Sequence, residues 1–238
     1  MSGLNNAECL VCRLGLVTFP EAMQFERRLL ALRHEEKIGD VLLIFEHPPT
    51  VTLGRSGKPD NILLPLPELE RRGIAFYDSD RGGDATFNCP GQPVIHPVMD
   101  IRKRPGILRS YITDLEEMSL RALGSYGIAA ERWSRHPGIW VKGKQIGAVG
   151  LRISRGVTMH GMSLNVNPDL AAFNVINLCG LAGTLPTSIE NELGRSVSTE
   201  EFNKRVQDSF AGVFQTRLIP ISKQELARAC FEEQPAQA

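Results

Sequence analysis

Residues 138–154 read GIWVKGKQIGAVGLRIS. Two runs of apolar and β-branched residues flank Lys142, Gly143 and Lys144, a pattern that predicts a hairpin with its lysines at the solvated tip. A further strand-like run, TMHGMSLNVN at 158–167, follows at once. Neighbouring strands joined by short turns imply antiparallel pairing. Working outward, VLLIFEH (41–47) and TVTLGR (50–55) flank the Pro48-Pro49 break, and IAFYDSD (74–80) and PVIHPVMDI (93–101) add further strands. ECLVCRLGLV near the start reads as a first strand.

Helix signals interrupt these strands. Thr18 to Glu21 is a capping box with Pro20 in the first turn, and Ala22, Phe25, Leu29 and Leu32 then share one apolar face. Ile107, Tyr111, Leu115, Met118 and Ala122 form a second stripe, closed by Gly127. Ser198 to Glu201 and Ser222 to Glu225 cap two C-terminal helices, the first with Phe202, Val206 and Phe210 inward. Strands interleaved with helices predict one α+β domain on a mixed, largely antiparallel sheet. It spans 1–238, with a core at about 11–215, helices to 232 and a frayed EEQPAQA tail.

Lys+Arg and Asp+Glu both total 27 in 238 residues, so the formal charge is zero. Nucleic acid is therefore not expected as a partner, since phosphate binding needs clustered cation excess. There is neither a membrane-length apolar run nor a signal-peptide pattern at the N-terminus, which predicts a cytoplasmic protein with no membrane association. The five cysteines (9, 12, 89, 179 and 230) form no disulfide framework. Cys9 and Cys12 make a CxxC, but no second pair or nearby histidine completes a zinc site, so no metal is expected.

The stretch RGGDATFNCPGQ (81–92) holds glycines at 82, 83 and 91, which let a ligand approach the backbone closely. It is not a GxxxxGK[ST] phosphate loop and precedes a strand, so it reads as a substrate-contacting loop. Cys89 is followed by Pro90, which has no N–H to stabilise an oxyanion. Cys179 ends an apolar run and is followed by Gly180, so backbone N–H groups are expected to be free there to face a reacting carbonyl. Among the histidines, His34 reads as surface and His47 as a strand-end cap, while His160 lies on a strand where a site role is open.

In this order RGGDATFNCPGQ, GIWVKGKQIGAVGLRISRGVTMHGMSLNVN and LAAFNVINLCGLAG resemble the lipoyl (octanoyl) transferases of protein lipoylation. FEHPPTVTLGRSG and LPTSIENELGR fit as well, and the likeness runs from about residue 11 to 215. The resemblance implies a biotin and lipoate protein ligase-like fold and no ATP, metal or other cofactor. It further implies an acyl-cysteine intermediate on Cys179, charged from octanoyl-acyl carrier protein and discharged to a lysine of a lipoyl domain. Dehydrogenase complexes and the glycine-cleavage H protein carry such domains. Arg81, Gly82, Gly83, Asp84, Ala85, Thr86, Phe87 and Asn88 correspond to one wall of the acyl pocket. Ala148, Val149 and Gly150 correspond to a second wall, and Gly161, Met162 and Ser163 to a third.

Three positions depart from the family pattern. Cys89 replaces a usual glycine and Asn88 a usual histidine, and Gln145 stands where the family has the lysine that activates the cysteine. Lys144 is adjacent, but strand alternation points it to the opposite face unless a bulge intervenes. His160 is the other candidate base if its ring reaches Cys179. Activation of the nucleophile is thus expected to be weakened, with a catalytically impaired homologue that binds acyl carrier protein or lipoyl domains, or a cysteine thioesterase, as rival readings.

Overall fold

The computed structural model describes residues 8–102, 108–133 and 136–232. Ile107 and the tail beyond Glu232, both part of the sequence expectations, lie outside them. Eleven strands are described: β1 (Glu8–Leu16), β2 (Asp40–Glu46), β3 (Thr50–Leu53), β4 (Ala75–Asp78), β5 (Ala85–Asn88), β6 (Val94–Val98), β7 (Glu131–Trp133), β8 (His136–Val141), β9 (Lys144–Ser154), β10 (Val157–Leu164) and β11 (Arg217–Ile221). Six helices accompany them: α1 (Phe19–His34), α2 (Leu66–Arg71), α3 (Leu108–Gly124), α4 (Ile189–Leu193), α5 (Thr199–Phe214) and α6 (Lys223–Phe231).

Eight strands form one sheet in the order β11-β1-β2-β6-β10-β9-β8-β7, and β4-β3-β5 form a smaller sheet of three. The large sheet is antiparallel from β2 through β7, while β1 runs parallel to both β11 and β2. A parallel pair needs a crossover, and α1 supplies the one between β1 and β2. The expected hairpin is β8–β9, turned by Lys142 (φ 48°) and Gly143 (φ 77°), the two positive values of a type I′ turn. The stretch 81–92, expected as loop, contains strand β5. The short elements β11, α2 and α4 carry no strong pattern in the sequence.

Alternation along β1 and β2 distributes two cores. Cys9, Val11, Leu42 and Ile44 pack with α3 and α5 on one face, while Leu10, Cys12, Leu14, Leu43 and Phe45 pack with α1 and α6 on the other. Cys9 and Cys12 therefore lie on opposite faces and do not act as a ligand pair. A third cluster joins Val51, Ala85, Phe87 and Cys89 to Phe173, Val175 and Leu178, fastening the small sheet to the segment that bears Cys179.

Helix α1 starts as its sequence predicts. Thr18 N–H donates to Glu21 Oε2 at 2.8 Å and Glu21 N–H donates to Thr18 Oγ1 at 3.4 Å, a reciprocal capping box. Thr18→Ala is expected to lower the unfolding free energy by about 1 kcal/mol, measured by urea titration.

Candidate active site

Cys179 follows Leu178, which is anchored in the third core cluster, and has φ 53° and ψ 25°. This left-handed conformation costs a non-glycine residue of order 1–3 kcal/mol, and such strain clusters at functional sites. Gly180 continues it at φ 74°, and a Cβ there would stand 2.7 Å from Asp84 Oδ2. Asp84 is itself held by Asn61, whose Nδ2 donates at 2.9 Å. Gly180→Ala is expected to displace the Cys179 turn, lowering activity at least roughly tenfold and stability by more than 1 kcal/mol. Paired rate and melting measurements check both. The expected free N–H groups after Cys179 are not found. Gly180 donates to Asn177 O at 3.0 Å and Leu181 to Leu178 O at 2.9 Å, because the chain closes a tight turn there.

Gln145 faces the thiol. Its Nε2 lies 3.2 Å from Cys179 Sγ, and its side chain is buried. The β8–β9 register shifts between Ile139, paired with Gly147, and Trp140, paired with Gln145, so Ile146 is the extra residue of a bulge on β9. The bulge does not carry Lys144 inward, and that residue is exposed. Segment 185–187 pins the backbone of Gln145. Gln145 N–H donates to Leu185 O and Thr187 N–H to Gln145 O, each at 2.9 Å.

Burial pushes the Cys179 thiol upward in pKa. The Gln145 hydrogen bond and the Arg81 charge pull it down, and Asp84 pushes it up, with burial the largest effect. Arg81 is almost wholly enclosed and fastens 81–86 to β3. Its guanidinium donates to Thr52 O (2.8 Å), Asp84 O (2.6 Å), Thr86 Oγ1 (3.0 Å) and Gly82 O (3.0 Å). The other four cysteines are buried, and burial raises Cys89 to about 12 and Cys12 and Cys230 to about 11. Cys179 is the one cysteine of the five that is not fully buried.

Cys179 borders a cavity of about 460 Å³ walled by Arg81, Gly82, Gly83, Asp84, Thr86, Val149 and Gly150. Small-molecule sites span roughly 300–1,000 Å³. Gly150 lets β9 approach the Arg81 loop closely, since a Cβ there would lie 3.1 Å from both Arg81 Cδ and Gly82 O and would push one of them back. Leu108 and Ile112, one turn apart on α3, close the cavity opposite Leu151 and Ile153. They lie beside the Tyr111–Leu115 stripe, and sequence reasoning missed them because only the core-facing stripe is periodic. A smaller recess of about 20 Å³ puts Phe87, Ala148 and Ser163 beside Cys179 and Gln145. Behind it Asn88 Nδ2 donates to Gln92 Oε1, Gln92 Nε2 to Asn165 Oδ1 (2.7 Å) and Asn165 Nδ2 to Thr187 O (2.9 Å). This buried amide chain ties β5 to segment 185–187. Single amides scattered along a sequence carry no signal of such a chain.

A third cavity, about 40 Å³, is lined by Asn88, Ala148, Gly150, His160, Gly161, Met162 and Ser163. Ala85 lies in the core and borders none of the three cavities. His160 does not hydrogen-bond Cys179; its Nε2 is 2.7 Å from Asp80 Oδ1. His34, expected as surface, is half-buried with Nε2 2.8 Å from Ser154 O. His47 caps the strand end, its Nδ1 2.7 Å from Val17 O, and burial depresses it to about 4.

A cysteine in left-handed backbone thus borders a cavity of mixed apolar and charged lining within this α+β frame. Residues 19–211 match the family model of the lipoyl protein ligase A/B catalytic domain. An octanoyltransferase of Chloroflexus aggregans is 39% identical over 212 residues, covering 88% of this chain and 96% of that one. An octanoyltransferase of Desulforamulus reducens is 38% identical over 205 residues, covering 86% and 90%. Among solved structures, a lipoate-protein ligase A bound with ATP superposes at TM-score 0.74 with 16% identity, covering 95% of both chains. A bipartite lipoate protein ligase of Thermoplasma acidophilum, solved in a study with its E2 lipoyl domain, gives 0.73 with 14% identity, covering 95% and 93%. The fold is thus the lipoate ligase-like α+β type expected. The chain belongs to the octanoyltransferase family and is a transferase enzyme. No described helix is long and apolar enough to cross a membrane.

Proposed function

We propose that this chain moves an octanoyl group from acyl carrier protein, through a thioester on Cys179, to a lysine of a lipoyl domain. The observation that carries this reading is that Cys179, alone of the five cysteines not fully buried, lies on the wall of the 460 Å³ cavity, beside Gln145 Nε2 and near the Arg81 charge. The Cys179 thiolate attacks the carrier thioester, its C–S bond breaks, and the carrier thiolate takes up the proton that Cys179 lost. The neutral amine of the acceptor lysine then attacks the acyl-cysteine. Cys179 leaves as a thiolate and receives the proton shed by the new amide nitrogen.

Gln145 donates a hydrogen bond to the thiolate but accepts no proton from the thiol, so solvent or the departing group carries it. The eight-carbon chain lies against Val149, Leu151, Ile153 and Ile112, gaining roughly 0.8 kcal/mol per buried methylene. Exposed Arg55 at the mouth suits an acidic carrier. Acceptors of this chemistry are the lipoyl domains of dehydrogenase complexes and the H protein of glycine cleavage.

Incubation with octanoyl-acyl carrier protein, without acceptor, tests this by intact mass and peptide mapping. The expected result is an octanoyl adduct on Cys179 that an added lipoyl domain removes. The upward shift of the Cys179 thiol and the lysine's replacement by Gln145 favour one second reading, an acyl-binding homologue of low activity. Absence of any adduct from folded protein would select it, and catalytic release of free octanoate would select a thioesterase.

A further inference from the structure

Glu26 on α1, His96 on β6 and His160 on β10 converge outside the cysteine site. Glu26 is fully enclosed, at 0% exposure, where a carboxylate needs compensation from neighbouring donors. Its Oε1 lies 2.5 Å from His96 Nδ1, and its Oε2 accepts the backbone N–H of His160 at 2.8 Å. Glu26 Oε2 also stands 3.8 Å from His160 Nδ1. One donor atom from each residue lies within 4.8 Å of the others.

The surroundings are those of an oriented ligand set. His160 Nε2 lies 2.7 Å from Asp80 Oδ1, and the other Asp80 oxygen pairs with Arg152. The Asp80 contact occupies Nε2, which leaves Nδ1 as the His160 ring atom that stands toward Glu26. A carboxylate that fixes the tautomer of a ligating histidine is the usual second contact of such a ligand. His96 and His160 also border the 40 Å³ cavity, with Phe19, His47 and Val94, and this cavity shares Arg81, Thr86, Ala148 and Gly150 with those that Cys179 borders. Its volume is room for a water, which needs about 10–15 Å³.

We propose that Glu26, His96 and His160 form a binding site for a divalent transition ion of the zinc class, with an open position toward this cavity. Two imidazoles and one carboxylate are a zinc-type donor set, whereas calcium and magnesium take oxygen ligands. Ligands 2.0–2.1 Å from a tetrahedral ion stand roughly 3.3 Å apart. On metal entry the ion replaces the proton between Glu26 and His96, their 2.5 Å contact opens, and the 3.8 Å Glu26–His160 gap closes. The site does not involve Cys179, which borders the other two cavities and not this one. Its donors come from three distant parts of the chain, so no short motif announces it.

The test uses the full chain with Cys179→Ser, which removes as a competing ligand the one cysteine that is not fully buried. After dialysis against chelator it is titrated with zinc chloride by calorimetry, and the metal retained after gel filtration is measured. The expected result is one equivalent per chain, a higher Tm with zinc, and a cobalt spectrum without a thiolate charge-transfer band. Glu26→Gln and His96→Phe are expected to abolish uptake. Asp80→Asn, which leaves all three ligands in place, is expected to weaken it by roughly 10–100-fold. Folding of each variant is checked by circular dichroism. Failure of the folded chain to take up zinc stoichiometrically overturns the proposal, as does uptake unchanged in folded Glu26→Gln, His96→Phe or Asp80→Asn.

Discussion

Cys179→Ser is expected to lower octanoyl transfer by roughly 10³-fold or more, the scale seen when a covalent nucleophile is removed. Cys89→Ser is expected to keep most of the activity. The contrast follows from position. Cys179 is partly buried and lines the cavity wall, whereas Cys89 is buried in the third core cluster with its thiol raised to about 12. Serine at position 179 also preserves the left-handed turn, so the loss reads out chemistry and not folding. Initial rates with octanoyl-acyl carrier protein and a lipoyl domain, alongside matched melting curves, check it. Equal losses in both variants would remove Cys179 from the role of sole nucleophile.

Gln145→Lys is expected to raise the rate at neutral pH by about one order of magnitude. The sign follows from the thiol. Its pKa is raised by burial in the folded enzyme, so the thiolate is scarce at pH 7 and the rate climbs as pH rises toward that pKa. A side chain at 145 already lies 3.2 Å from Sγ, and an ammonium there favours the thiolate by direct charge attraction. The climb in rate then shifts to lower pH. An ordinary thiol of pKa ~8.5 is only a few per cent ionised at pH 7 and the buried Cys179 thiol less, so thiolate supply leaves room for a gain of that size. A pH–rate profile of both forms decides the matter. An unchanged profile would show that thiolate supply does not limit the reaction, leaving Gln145 with the task of orienting the acyl carbonyl.

Local signals carried much of this molecule. The hairpin at 138–154 was legible because Lys142-Gly143 suits a type I′ turn, and α1 because Thr18 and Glu21 form a reciprocal capping box with Pro20, which has no N–H to satisfy, in the first turn. The segments around 81, 148, 161 and 179 were legible through resemblance, since glycines and small residues mark where backbones approach one another. Other features needed three dimensions. Strand β5 hid inside glycine-rich punctuation, because its inward residues Ala85 and Phe87 pack on Phe173 and Val175, about 90 positions away. Parallel pairing of β1 with β11 likewise joins the two ends of the chain.

The sequence by itself determined the strand-and-helix grammar, the α+β class and the acyltransferase likeness, since each is written in neighbouring residues. Only the tertiary structure decided that Gln145, and not Lys144 or His160, faces the thiol. The physical reason lies in long-range packing: the bulge at Ile146, the pinning of Gln145 by segment 185–187, and the engagement of His160 by Asp80 join side chains that no local pattern brings together.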